Sequence, residues 1–103
     1  MNKLYHLSDY MGEFVYVAEE NDTVKSVAEK FHTAPSCLIS INGLTEEIVK
    51  GEILKVEKTD GKEYVVKPKD TFESVSGYND EKAREIKSKN KTDVLYVGQT
   101  IYI

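Results

Sequence analysis

At 103 residues, 40% hydrophobic and 31% charged, the chain is globular in composition but too short for an elaborate active-site cavity, because a small domain buries a smaller share of its surface. The net charge of −4 argues against nucleic acid, and the single cysteine, Cys37, excludes an intramolecular disulfide. No apolar run approaches a membrane span, and the first twenty residues, with Lys3, Asp9, Glu13, Glu19 and Glu20, hold no signal-peptide core, so the chain reads as soluble, without membrane insertion or an ordinary export signal.

Residues 1–12 read as an N-terminal arm or an extra edge strand, with Lys3 to Leu7 as the strand candidate. Glu13 to Ala18 is rich in aromatic and β-branched residues and predicts a short strand. The period then changes. Val24, Val27, Ala28 and Phe31 fall at i, i+3, i+4 and i+7 on one face of a helix, with Asp22 or Thr23 placed to cap it. Thr33 starts a second helix, with Pro35 in its first turn, Cys37 a small buried residue, and Leu38 and Ile41 inward. Asn42-Gly43 ends it, and after a polar loop Gly51 leads into a strand over Ile53 to Glu57.

Asp60-Gly61, within a 58–63 turn or linker, is flanked by strand-like sequence and predicts a hairpin joining that strand to the next, Tyr64 to Lys67. Asp70-Thr71-Phe72-Glu73 resembles a capping box opening a helix with Phe72 and Val75 inward. Ser76-Gly77 weakens that helix, the aromatic corresponding to Phe31 moves to Tyr78, and Lys89 stands where the first half has Ile41. The second half is therefore expected to have the less complete core.

These elements repeat. Tyr16, Asp22, Thr23, Ser26, Val27, Leu38 and Asn42 return 48 residues later as Tyr64, Asp70, Thr71, Ser74, Val75, Ile86 and Asn90. Gly51, Leu54 and Val56 return 47 residues later as Gly98, Ile101 and Ile103. A duplication at this period means two copies of one supersecondary unit, here 13–57 and 64–103. The fold class is α+β: two βααβ modules in tandem, each a two-stranded antiparallel sheet with two helices on one face. The copies differ in charge, residues 15–57 carrying −4 and residues 58–103 carrying +1.

The ordered set resembles the LysM (lysin motif) family. In the first copy it comprises Asn21-Asp22-Thr23-Val24, Ser26-Val27-Ala28, Ile41-Asn42-Gly43-Leu44 and Gly51-Glu52-Ile53-Leu54-Lys55-Val56. The second copy has Lys67-Pro68-Lys69-Asp70-Thr71-Phe72, Ser74-Val75, Ile86, Asn90 and Gly98-Gln99-Thr100-Ile101-Tyr102-Ile103. The resemblance covers about 85 of the 103 residues. It implies binding of N-acetylglucosamine-containing polysaccharide, peptidoglycan or chitin, in a shallow groove between the loop after the first strand and the loop after the second helix. Carried over by position, Asn21, Asp22, Thr23 and Val24 face Asn42, Gly43, Leu44 and Ile48 in the first copy. Lys69, Asp70, Thr71 and Phe72 face Asn90, Lys91, Thr92 and Val94 in the second, which is expected to be the weaker site.

This sequence departs from the family pattern where Asn21 and Lys69 replace the glycine before the aspartate, and where Glu20 replaces the proline of the first copy. Glu19, Glu20, Asp22, Glu46 and Glu47 put negative charge along both lips of the first groove.

Other chemistry finds no support. Glu19-Glu20 and Glu46-Glu47 are neighbours on polar loops rather than a carboxylate pair across a cleft, as a glycosidase needs. His6 and His32 are isolated, and surface or capping roles suit them better than metal binding. Tyr16, Tyr64, Tyr96 and Tyr102 fall in predicted strands and are expected to pack rather than present sugar platforms. The reading is a protein without catalytic residues, metal or cofactor that binds glycan. Its alternative is an assembly or adaptor module of spore-coat or phage-particle type, contacting other structural or coat proteins. The first places it at a cell wall, spore or particle, and otherwise it is cytoplasmic.

Overall fold

The computed structural model describes residues 4–8 and 13–103, with side chains from residue 14 onward. The chain divides into two compact units, Met1–Lys58 and Thr59–Ile103. The architecture is α+β, and each unit carries the βααβ order.

In the first unit, β1 (Leu4–Ser8) pairs antiparallel with β2 (Glu13–Val17), and β2 pairs antiparallel with β3 (Ile53–Glu57), giving the sheet order β1-β2-β3. The sheet therefore gains a third strand at its edge, the one of the two readings of the amino-terminal residues that placed an extra edge strand there. The side chain of His6, in β1, lies outside the described residues. Alternation along the strands points Tyr16, Leu54 and Val56 inward, as a half-buried strand requires. They meet Val27 of α1 (Val24–Phe31) and Leu38 of α2 (Pro35–Asn42), with Ala18 and Ile48 closing the core. Phe31 sits edge-on to Tyr16, ring centroids 4.9 Å apart.

The second helix begins at Pro35 rather than Thr33. Thr33 is buried, and Ala34 is the extended residue preceding the helix, because proline's fixed φ fits the first helical position. Cys37 is buried and forms no disulfide, and Ile41 is only half-buried.

In the second unit β4 (Glu63–Val65) pairs with β5 (Thr100–Tyr102). The hairpin expected at Asp60-Gly61 does not form, since β3 and β4 belong to separate sheets. Gly61, at φ 110°, instead lets the chain run against the last residue: a Cβ there would stand 2.6 Å from the Ile103 carbonyl oxygen. Lys62 and Ile103 then exchange both backbone hydrogen bonds, each 2.9 Å.

Helix α3 (Phe72–Val75) is a single turn, and α4 (Asp80–Asn90) takes up the length that α3 loses. Gly77 and Tyr78 both turn left-handed between them, so Tyr78 is 80% exposed and does not take the core place of Phe31. The core of this unit, Val66, Phe72, Ala83, Ile86 and Ile101, has five buried members against seven in the first. Tyr102 is buried and Tyr64 half-buried, whereas Tyr96 lies exposed in the loop before β5 instead of in a strand.

Candidate functional site

Both copies leave their first strand through the same turn. In the first, the Asp22 amide donates to the Glu19 carbonyl at 3.2 Å, and Asn21 in third place has φ 70°. A positive φ there is the type II arrangement, and asparagine enters the left-handed region readily. The Asp22 carboxylate accepts from the Glu19 amide at 2.8 Å and, in a short bond, from the buried Tyr16 hydroxyl. The second copy repeats this with Lys69 at φ 71°, and Asp70 accepts from the Lys67 amide at 2.8 Å and the Tyr64 hydroxyl at 2.6 Å. Pro68 fits the second turn position, where its ring presets φ.

Burial raises the Tyr16 hydroxyl pKa above its ordinary range, and the Asp22 carboxylate reinforces the shift. Burial alone would raise Asp22 as well. The Tyr16 hydroxyl, the Glu19 amide, Lys30 (3.9 Å away) and Ser26 outweigh it and hold Asp22 below the usual carboxylate range. Asp70 is held low by the Tyr64 hydroxyl and the Lys67 amide, and Tyr64 is raised by its bond to Asp70.

The cap proper is the threonine. Thr23 Oγ1 accepts from the Ser26 amide at 3.0 Å and Ser26 Oγ accepts from the Thr23 amide at 2.9 Å, a reciprocal box that Thr71 and Ser74 repeat at the same distances. The partner at the third helical position is thus Ser74, not the expected pairing of Asp70 with Glu73. Val24 and Lys25 open α1, and by their place in the first turn their amides have no intrahelical acceptor.

On the facing side, Asn42 is part of the scaffold. Its Nδ2 donates to the Leu38 and Lys55 carbonyls at 2.9 and 2.8 Å, and its Oδ1 accepts from the Lys55 amide at 2.8 Å. Asn90 does the same for Ile86 and Tyr102, each bond 2.8 Å, and is fully buried. Gly43 at φ 60° then ends α2, its amide on the Ile39 and Ser40 carbonyls, and turns the chain into the Leu44 loop.

Val24, Ile39, Leu44, Thr45, Glu46 and Glu47 line an open groove of about 360 Å³. Of the eight residues expected to form this site, Val24 and Leu44 come together in it. Asn21, Asp22 and Thr23 build the turn and cap beside it, while Asn42 is tied to β3, Gly43 caps α2 and Ile48 belongs to the core. Ile39 was missed. Its signal was an isoleucine next to inward Leu38, hence on the outer face of α2, where it is 42% exposed.

In the second unit an open groove of about 490 Å³ runs along α4 and the loop after it, lined by Arg84, Lys87, Ser88, Lys91, Thr92 and Asp93; it overlaps the place of the first groove at Lys87 and Thr92, the counterparts of Ile39 and Leu44. Of the residues expected there, Lys91 and Thr92 line it. Phe72 is buried, with Lys87 Nζ 5.1 Å from its ring centroid. Asp70 and Thr71 serve the turn and the cap, Asn90 is internal, and Lys69 and Val94 are exposed.

Among the described residues no group of histidine, cysteine and carboxylate side chains fits a metal ion, and no helix is long and apolar enough to cross a membrane. His32, at φ 55°, is the left-handed cap ending α1.

The LysM domain model matches the chain twice, over residues 16–56 and 64–103. No curated protein matches it. Among solved structures it is similar to the crystal structure of the Bacillus cereus spore cortex-lytic enzyme SleL, with 28% identity over 89% of this chain and a TM-score of 0.44. The chain spans 22% of the length of that enzyme.

Proposed function

We propose that this chain, which belongs to the LysM domain family, is a non-catalytic carbohydrate-binding protein that takes N-acetylglucosamine-containing glycan, peptidoglycan or chitin-like, chiefly through the groove of its first unit. Domains of this family are binding modules for such glycans. The observation that carries the reading is the apolar lining of Val24, Ile39 and Leu44 in a groove that includes the first residue of α1, whose opening amides lack intrahelical acceptors. An N-acetyl group offers a methyl to that lining and a carbonyl oxygen to those amides, and its own N–H requires an acceptor from the loop backbone. Asn21, Asp22, Thr23, Asn42 and Gly43 serve this site by holding the two loops rather than by lining the groove. A groove so shallow binds weakly, and two modules on one polymer raise the apparent affinity through effective concentration.

The second reading, an assembly or adaptor module, draws on one observation: Val94, Tyr96 and Val97 are each at least 60% exposed on the loop before β5.

Sedimentation with insoluble chitin and with purified peptidoglycan tests the first reading. The protein is expected to pellet with both, and Leu44→Glu is expected to stay in solution while keeping its circular dichroism spectrum. Retention of native and variant protein alike in the supernatant contradicts it.

A further inference from the structure

The two grooves share positions on the second helix of each unit and the loop after it, but differ in chemistry. Position 39 is isoleucine, and its counterpart 87 is lysine. Leu44 corresponds to Thr92, and in place of the acidic rim of Glu46 and Glu47 the second groove is lined by three cations, Arg84, Lys87 and Lys91, and the single carboxylate of Asp93.

Of these cations Lys87 is engaged by the fold, over the Phe72 ring and in the last turn of α4. Among the described residues Arg84, Lys87 and Lys91 form no ion pair. Basic residues near a helix carboxyl end commonly serve its exposed carbonyls. Here the Lys91 amide already bonds the Lys87 and Ser88 carbonyls, and the Thr92 amide bonds Lys87 again at 3.2 Å. The equivalent helix α2 ends without any basic residue in its last turn. Lys87 lies over the Phe72 ring, which holds the ammonium at the groove instead of letting it extend into solvent.

We propose that the second groove recognises a carboxylate carried on the glycan, so that the tandem reads an acidic N-acetylated polymer with one neutral-sugar site and one anion site. This rests on the glycan-binding reading above. It inverts the expectation that the second copy is a weaker version of the first: the two are specialised, the first excluding negative charge at its Glu46-Glu47 rim and the second requiring it. A carboxylate suits the second groove because Arg84 offers a planar donor fork and the two lysines offer point charges, within a wall that includes the Ser88 and Thr92 hydroxyls.

The test is a titration of isotope-labelled protein, followed by amide shifts, with three soluble oligomers of equal length. These are a neutral chito-oligosaccharide, an alternating N-acetylglucosamine and N-acetylmuramic acid glycan without peptide, and the same glycan with its peptides. The neutral oligomer is expected to shift residues 21–25 and 39–47 only, and an acidic one to shift residues 84–93 as well. Response to the peptide-free glycan places the carboxylate on the sugar, and response only to the third oligomer places it on the peptide. Lys87→Gln/Lys91→Gln is expected to weaken the 84–93 response about tenfold, as is a rise in salt. Equal shifts of 84–93 by the neutral oligomer, no shift there by any oligomer, or equal shifts by inorganic polyphosphate overturn the proposal. Failure of the neutral oligomer at the first groove overturns the glycan-binding reading instead.

Discussion

Asn90 grips Tyr102 from both directions, its amide nitrogen donating to the Tyr102 carbonyl and its amide oxygen accepting from the Tyr102 N–H, each at 2.8 Å. The third bond, from the same nitrogen to the Ile86 carbonyl, stays within α4, so the pair to Tyr102 locks the end of that helix to β5. Asn42 does this between α2 and Lys55 of β3. The duplicated asparagine is thus what fixes the loop after each second helix, and with it one side of each groove.

Asn90→Ala leaves the N–H and C=O of Tyr102 buried without the partner they have in Asn90, and is expected to destabilise the second unit by about 2–6 kcal/mol in urea unfolding, from two orphaned groups at about 1–3 kcal/mol each. Asn42→Ala costs less, because Asn42 and the amide it serves on Lys55 lie nearer to solvent. Equal losses in the two variants contradict this assignment.

Tyr16→Phe removes the hydroxyl that donates to Asp22 and accepts from Lys30 at 3.3 Å. A hydrogen bond to a charged group contributes about 1.5–3 kcal/mol, and thermal unfolding of the variant is expected to show a loss in that range. Tyr64→Phe, at a more open site, loses less.

The same pair sets a pH window. The pKa of Asp22 is lowered on folding, so its contribution is present above the unfolded carboxylate value of about 3.9 and disappears as pH falls through the folded value. The pKa of Tyr16 is raised, so its contribution is present below the unfolded value of about 10 and disappears as pH rises toward the folded one. Melting temperatures at constant ionic strength are expected to fall at both ends, with the alkaline fall shallower in Tyr16→Phe. Superimposable curves for native protein and variant would remove the pair from the account.

Lys69 holds a left-handed conformation at φ 71° in the place where the family pattern carries glycine. Relieving that conformation, offset by the greater chain entropy of glycine, leaves Lys69→Gly more stable by about 0.5–1 kcal/mol. Denaturant midpoints compared at constant slope decide it, and an unchanged or lowered midpoint counts against the strain.

Much of the fold was legible because it was written in side-chain spacing. The Val24, Val27, Ala28 and Phe31 face gave α1, and the tandem repetition gave two units. What escaped was written in backbone geometry. Asp60-Gly61 has the composition of a hairpin turn, yet Gly61 is present for its close approach to Ile103. Tyr78 was matched to Phe31 by residue type, but the left-handed pair Gly77-Tyr78 swings it outward. At the site, the motif residues marked where the loops are fixed, because asparagine, aspartate and threonine recur where backbone must be satisfied. The groove-lining Ile39 and Lys87 carry no motif, so only packing reveals them. Glu52 and Gln99 are a further case: each follows a glycine and folds back onto the backbone amide three residues earlier, Val49 at 3.2 Å and Tyr96 at 2.9 Å.

If the groove of Val24, Ile39 and Leu44 takes an N-acetylated sugar, titration of isotope-labelled protein with chito-oligosaccharide to millimolar concentration produces saturable amide shifts centred on Val24, Lys25 and residues 43–47, abolished by Leu44→Glu. A flat titration at those amides means that the groove does not bind it.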